Sequence, residues 1–301
     1  MRRAVLIWNP RAGQRRARRA LPEIRQILER GFALTLQPTT GPEHCRTIAR
    51  QALAEKLDLF IVLGGDGTLR VAASILAGTE VVLGALPGGT TNVVSGALGF
   101  PEEPVAAARA LLTAQPTEMD LGRSAHGPQG TDAEPFLMQL SGGLDAQVMA
   151  RVDLRTKKLL GKGAVAIAGV REWFRYRFPR FEIEIDGDSA HPVAATGFVV
   201  ANLPQYAGQF NIVPGASATD RRLDLLLFHG HRRRDAAGFA FALARGRHLE
   251  RRDVEVRPFS TVRIASPPSL QLQADGDAFV AAAPLDVTLA LERLKILAPR
   301  A

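Results

Sequence analysis

Residues Leu59-Phe60-Ile61-Val62-Leu63 form an unbroken apolar run that ends in Gly64-Gly65-Asp66-Gly67-Thr68. A strand with no polar face must be covered on both sides, which places it inside a parallel sheet flanked by helices. The stretch Leu69–Ala77 reads as the helix that follows. The chain therefore passes from buried strand to helix through nearly bare backbone carrying one carboxylate. Glycines let backbone N–H groups approach an anion, and a helix N-terminus adds partial positive charge, a layout suited to phosphate. Asp66 repels phosphate, so it is expected to hold a metal ion, such as Mg²⁺ beside ATP, or to orient another group. Phosphoryl transfer is the chemistry these residues suggest.

The same grammar repeats through the first ~115 residues, as a parallel sheet with crossover helices requires. Strands are expected at Ala4–Trp8, Phe32–Leu36, Leu59–Leu63 and Val81–Ala85. Helices are expected at Arg18–Arg30, Pro42–Glu55, Leu69–Ala77 and Glu103–Ala114. The strands end in turn-rich loops: Asn9-Pro10-Arg11-Ala12-Gly13, Pro38-Thr39-Thr40-Gly41, Gly64–Thr68 and Pro87-Gly88-Gly89-Thr90-Thr91. In an open parallel sheet such loops share one edge, where ligands bind. Taken alone, the Asn9–Gly13 stretch is a simple turn, and Thr40 or Thr90 fits a helix cap as well as a phosphate or ribose. Converging on one edge, the four loops point to a nucleotide crevice.

After about Met119 the texture changes to short strand-like runs: Phe136–Gln139, Phe181–Ile185, Gly197–Ala201, Leu223–Phe228, Val262–Ile264 and Leu270–Gln273. Alternation in Phe181-Glu182-Ile183-Glu184-Ile185 leaves one wet face, the mark of an antiparallel sheet. Helical runs are fewer: Gln147–Lys158, Ala164–Phe174 and Asp235–Arg245. Ser124–Glu134, rich in Gly, Pro and Asp, reads as an exposed loop. A chain of 301 residues is long enough for two domains.

Charge narrows the partners. The formal net charge is +8, supplied by arginine in clusters: Arg15, Arg16, Arg18 and Arg19; Arg232–Arg234; Arg251 and Arg252. Such faces are either merely solvated or attracted to anions. Aromatics are 6% of residues and do not interleave with the basic ones, which argues against nucleic acid and favours anionic headgroups at a membrane surface. No apolar run approaches the ~20 residues that cross a bilayer. A single cysteine, Cys45, forbids an intrachain disulfide and fits a reducing cytoplasm. The protein is thus expected to be cytoplasmic and peripherally membrane-associated. A homodimer through exposed edge strands stays open.

In the second half, Gln273-Ala274-Asp275-Gly276-Asp277 sets two carboxylates around a glycine. Their proximity favours general-base duty or cation binding, although an Asp-Gly hairpin turn has the same sequence. Asp186-Gly187-Asp188 reads as a turn. Asp220 and Asp224, after Pro214-Gly215-Ala216, could bind a cation or stay solvated. Six histidines show no pair at metal-ligand spacing, which opposes zinc, and no Gly-x-Ser-x-Gly elbow supports a hydrolase.

In this order the motifs resemble one family. Asn9-Pro10…Gly13, Thr40 with His44, Gly64–Thr68 and Pro87-Gly88-Gly89-Thr90-Thr91-Asn92 are followed by Ala97-Leu98-Gly99 before Pro101. Asp120-Leu121-Gly122, Ser141-Gly142-Gly143-Leu144-Asp145-Ala146, Pro214-Gly215-Ala216 with Asp220, Leu223-Asp224 and Asp275-Gly276-Asp277 complete the series. The set resembles the bacterial diacylglycerol kinase-like lipid kinases, which include sphingosine kinase relatives. Gly-Gly-Asp-Gly alone is shared with NAD kinases and phosphofructokinases; the ordered set is specific. NAD kinases carry a Ser-rich glycine-glycine-proline segment that has no counterpart here.

The resemblance implies a three-layer α/β nucleotide-binding domain over residues 1–118, to which 290–301 return, and an antiparallel β-sandwich over 119–289. It implies an active site in the cleft between them, ATP with Mg²⁺ as cofactors, and transfer of the γ-phosphoryl group to a diacylglycerol-like or sphingoid-like hydroxyl. It assigns nucleotide contacts to Asn9, Pro10, Gly13, Thr40, Gly64, Gly65, Asp66, Gly67, Thr68 and Thr90. Asp66 and Asp120 would place the catalytic metal, and Asp220 a structural Mg²⁺. The turn Asp275–Asp277 would supply the base, from Asp277 or Asp275. The acceptor-pocket wall is expected from Gln147–Phe174, which carries Lys157, Lys158, Lys162 and Arg171. Three positions depart from the family pattern: Arg70-Val71 replace Asn-Glu, Val93 replaces Asp, and Asp277 replaces Glu. These three altered acidic positions motivate an alternative, a catalytically impaired nucleotide- or lipid-binding regulatory protein.

Overall fold

Strands alternating with helices build the first of two units in this computed structural model, which describes residues 1–10, 15–126, 132–151, 169, 175–206 and 210–300. One unit comprises Met1–Asp120 with Leu291–Ala301, the other Leu121–Ala290.

In the first unit, strands β1 (Arg2–Trp8), β2 (Phe32–Pro38), β3 (Leu59–Gly64) and β4 (Val82–Pro87) are parallel neighbours in the order β2-β1-β3-β4. Two more strands complete the sheet: β20 (Leu294–Ala298) lies parallel to β4, and β5 (Gln115–Met119) runs antiparallel to β20. Helices connect them: α1 (Arg15–Leu28), α2 (Pro42–Ala54), α3 (Asp66–Leu76), the short α4 (Val93–Ala97) and α5 (Pro104–Thr113). Leu59, Ile61 and Leu63 share a core with Ile24, Ile27 and Leu28 of α1 and Ala107, Ala108 and Leu111 of α5. Phe60 and Val62, between them in sequence, are equally buried and point to the opposite face, where α2 and α3 pack together. Helices on both faces explain why β3 has no polar side.

The second unit is all antiparallel except for its helices. One sheet runs β10-β9-β16-β19-β6-β7 through Val193–Ala195, Phe181–Ile185, Thr261–Ser266, Leu285–Leu289, Gly122–His126 and Asp132–Phe136. The other runs β15-β14-β11-β8-β17-β18 through Val254–Phe259, Leu223–Phe228, Gly197–Ala201, Gln139–Gly142, Ser269–Ala274 and Asp277–Ala282. Phe136, Phe181, Ile183, Val262, Ile264 and Val287 of the first sheet pack against Phe198, Val200, Leu225, Leu227, Leu270 and Leu272 of the second, making a β-sandwich. On the outer face of the second sheet lie α6 (Leu144–Arg151), a small hairpin of β12 (Gln205–Tyr206) and β13 (Phe210–Asn211), and α7 (Arg233–Ala244).

The observed class is the expected one, an α/β unit and an antiparallel β-sandwich. Three local expectations change. The run Phe136–Gln139, expected as one strand, is the bend from the end of β7 to the start of β8. Helix α3 begins at Asp66, a turn before Leu69, because Gly65 caps it and the polar first turn hides the helical period. Ser124–Glu134 is not wholly loop: β6 and β7 pair through it from Gly122↔Phe136 to His126↔Asp132. Strand β7 is a sheet edge, and an edge tolerates the charges and Pro135 that disguise it. The expected helix Ala164–Phe174 and the stretch 152–158 of Gln147–Lys158 lie outside the described residues, Gly169 apart, as do Lys157, Lys158, Lys162 and Arg171.

Candidate active site

The loops after β3 and β4 are held against each other by their glycines. The Gly88 N–H donates to the Gly64 carbonyl at 2.9 Å. A Cβ on Gly89 would stand 2.5 Å from Gly65 Cα, and one on Gly88 would stand 2.8 Å from Gly64 N. Only glycine permits that approach. The bare backbone thus serves first to pack two loops together, a reason the sequence reading had not separated from access to phosphate. Asn92, in the left-handed region at φ 51°, clips the second loop. Its Oδ1 accepts the Gly89 N–H at 2.7 Å, and its Nδ2 donates to the Gly89 carbonyl at 3.0 Å.

Asp66, buried in the first turn of α3, joins the two loops. Its Oδ1 accepts the Val94 N–H at 3.0 Å and its Oδ2 the Val93 N–H at 3.1 Å, with the Thr91 hydroxyl at 3.4 Å. Of the two roles open to it from sequence, orienting another group is visible directly: it holds the start of α4. A carboxylate has about four lone-pair sites, so these bonds leave room for a cation or its water. Thr68 sits half-buried beside it, and Thr90 is exposed on the facing loop.

The remaining loops of that edge are less complete. Thr39 is buried, and its N–H donates to the Trp8 carbonyl at 2.7 Å. The neighbouring Thr40 is exposed, with its hydroxyl 3.3 Å from His44 Nδ1. Asn9 and Pro10 follow β1 directly, whereas Gly13 lies outside the described residues.

Asp120 is fully buried, and its Oδ1 stands 2.9 Å from Arg293 Nε. The guanidinium balances its charge. Asp220 is exposed, and its Oδ1 accepts the Arg222 N–H at 3.1 Å. Burial raises the carboxyl of the nearby Asp224, Asp220 raises it further, and Arg222 lowers it. Among the described residues no three His, Cys, Asp or Glu side chains gather to hold a metal. That donor set does not fit an all-protein cage. Asp66 is a lone carboxylate, which could hold Mg²⁺ only together with ligands from outside the protein.

In the second unit, Asp275 and Gly276 occupy positive φ (51° and 86°) in the turn joining β17 to β18. The two acids of that turn have different surroundings. Asp275 is buried, and its carboxylate accepts the N–H groups of Leu137 (2.8 Å), Met138 (2.8 Å) and Gln139 (3.1 Å). With both oxygens so engaged it acts as a clamp, a geometry that does not suit a base. Asp277, the first residue of β18, is exposed.

Sequence reasoning missed the group that supports this turn. Gln273 Oε1 accepts the Gly276 N–H at 2.8 Å, while its Nε2 donates to Ser141 Oγ at 2.7 Å and lies 3.5 Å from Asp145 Oδ2. Asp145 also takes hydrogen bonds from Ser141 Oγ, the Ala146 N–H and the Tyr206 hydroxyl. Burial drives its carboxyl above the usual range, and those hydrogen bonds only partly offset it. The Tyr206 hydroxyl is pushed well above its ordinary value, first by burial and then by the Asp145 charge. The motif Ser141–Ala146 was the available signal, but the partners Tyr206 and Gln273 are far away in sequence.

Two family models match successive stretches of the chain. Residues 3–124 match the family model described as diacylglycerol kinase catalytic domain, and residues 138–298 match the YegS C-terminal NAD kinase beta sandwich-like domain. A Bacillus subtilis (strain 168) protein named diacylglycerol kinase is 26% identical over 281 residues, covering 92% of this chain and 90% of the relative. One so named from Mycobacterium tuberculosis (strain ATCC 25618 / H37Rv) is 28% identical over 301 residues, covering 99% and 96%. The crystal structure of a diacylglycerol kinase from Bacillus anthracis str. Sterne shares the fold at a TM-score of 0.71 and 20% identity, covering 98% of this chain and 96% of that one.

Proposed function

Because the chain belongs to the diacylglycerol kinase-like lipid kinase family, we propose that it transfers the γ-phosphoryl group of ATP to a hydroxyl of a diacylglycerol-like or sphingoid-like lipid. The observation that carries this reading is the pair of loops, Gly64–Gly65 and Gly88–Gly89, locked backbone to backbone around Asp66 at the head of α3. Backbone N–H groups at a helix head suit phosphate oxygens. Mg²⁺, when bound with ATP, would supply charge neutralisation on the transferring group.

The chain's own residues divide the remaining work. Asp66 holds the 91–94 segment and would present its remaining lone pair to the cation. Thr68, Thr90 and Thr40 offer hydroxyls to the nucleotide, Asn9 offers its carboxamide, and Pro10 shapes the loop beside it. Asp277 is the base that takes the proton of the acceptor hydroxyl, while Asp275 keeps its turn in shape. An aspartate is one methylene shorter than the glutamate usual there, so the acceptor must approach the turn more closely.

The test is Mg²⁺-dependent transfer of labelled γ-phosphate from ATP into a total bacterial lipid extract. Asp66→Ala and Asp277→Ala are each expected to lower turnover by roughly 100-fold or more, and mass spectrometry of the labelled band identifies the acceptor. Asp277→Ala should leave the unfolding midpoint in place. Asp275→Ala instead strands three buried N–H groups and should cost about 3 kcal/mol in urea unfolding. Equal stability losses from both substitutions would overturn the division between base and clamp. ATP bound without labelled lipid would support the regulatory alternative, which Val93 and the Arg293-neutralised Asp120 favour.

A further inference from the structure

From Arg232 to Arg252 the chain carries seven arginines against Asp235 and Glu250, so this short segment holds +5 of the net +8. Its conformation sorts these charges. Helix α7 buries Ala236 and Leu243 and half-buries Phe239 against Val199, Leu226 and Val254 on the outer face of the sandwich. On the opposite side Arg234, Ala237, Phe241 and Ala244 recur at helical spacing, and all are exposed. Phe241 is 61% exposed, and Leu249, in the 3-10 turn His248–Glu250 that follows, is 43% exposed. The Arg245 guanidinium lies 3.6 Å over the Phe241 ring centroid. Arg247 pairs with Glu250, Arg251 with Asp253 and Arg234, at 3.7 Å, with Asp235; Arg232, Arg233, Arg234, Arg245 and Arg252 all stand on exposed surface.

Large apolar side chains exposed among arginines, on a helix whose inner face is already satisfied, match one kind of surface. Lipid phosphates take the guanidinium groups, and the boundary between headgroups and acyl chains takes Phe and Leu. We propose that the outer face of α7 together with the turn His248–Glu250 is a docking surface for an anionic phospholipid bilayer. The inference needs no turnover, so it stands or falls apart from the phosphoryl-transfer reading.

Vesicle flotation tests it with the full chain. Vesicles of phosphatidylglycerol and phosphatidylcholine should carry the protein, pure phosphatidylcholine should not, and high salt should weaken the binding. At ~1 kcal/mol per basic residue, the triple substitution Arg234→Ala, Arg245→Ala and Arg252→Ala should lower partitioning about 100-fold. Lysine at the same three positions should largely preserve it. Phe241→Ala with Leu249→Ala should lower partitioning about 10-fold. Arg18→Ala with Arg19→Ala on α1 should leave it unchanged. Absence of binding by the wild type, equal binding by the α7 variants, or loss on the α1 substitution would overturn the proposal. So would displacement by duplex DNA with no dependence on Phe241 and Leu249, or a dimer in sedimentation that the α7 substitutions dissolve.

Discussion

The half-buried Asp145 takes hydrogen bonds from Ser141, Ala146, Tyr206 and Gln273. In the unfolded chain an aspartate titrates near ~3.9; burial raises its folded value above that. The folded state therefore binds the proton more tightly. Its contribution is most favourable below the unfolded value and is lost as pH rises through the raised folded value. Asp145→Asn removes the titration, so the variant should gain stability relative to wild type on going from about pH 4 toward neutrality, by at most ~1.4 kcal/mol per pH unit. Urea unfolding at about pH 4.5 and about pH 7 measures it, and a difference constant across that range would count against a raised carboxyl. Asp66 and the turn at Asp275–Asp277 were legible in the sequence because glycine and carboxylate adjoin there. What separates Asp275 from Asp277 was not, because the three N–H groups that occupy Asp275 come from residues 137–139. Asp145 depends likewise on Tyr206 and Gln273.

Among the elements, burial helped visibility without deciding it, since the edge strand β2 was foreseen and the inner strand β19 was not. Strand β3 is covered on both faces, so its composition alone announced it. Strands β5 and β18 went unseen because each is the edge of its sheet and carries exposed or polar residues. The loop of residues 87–92 was recognised by its glycines, yet its rigidity rests on the Asn92 clip and its packing on Gly64 and Gly65. Asn92→Ala leaves that packing but releases the Gly89 peptide. It should weaken ATP binding roughly 10-fold by calorimetry, since a misplacement of about 1 Å at such a site is costly. Unchanged affinity would mean that the glycine contacts alone hold the loop.

For the molecule as a whole, the decisive arrangement is that β20, from the end of the chain, is the neighbour of both β4 and β5. Arg293, just before β20, supplies the partner of Asp120 and also donates to the Glu118 carbonyl at 3.1 Å. Arg293→Ala leaves the Asp120 carboxylate buried without that partner, and roughly 3 kcal/mol of stability should be lost in urea unfolding. Arg293→Lys should recover part of it. Insertion of the sandwich between β5 and β20 also orders events during synthesis. Residues 121–290 are continuous and can fold as soon as they emerge, as domains generally do. Strand β5 is made before them but has no neighbour in the sheet until β20 arrives. The first unit, although begun first, is finished last, so a nascent chain stalled at Ala290 should resist protease over the sandwich while its earliest residues remain open to cleavage.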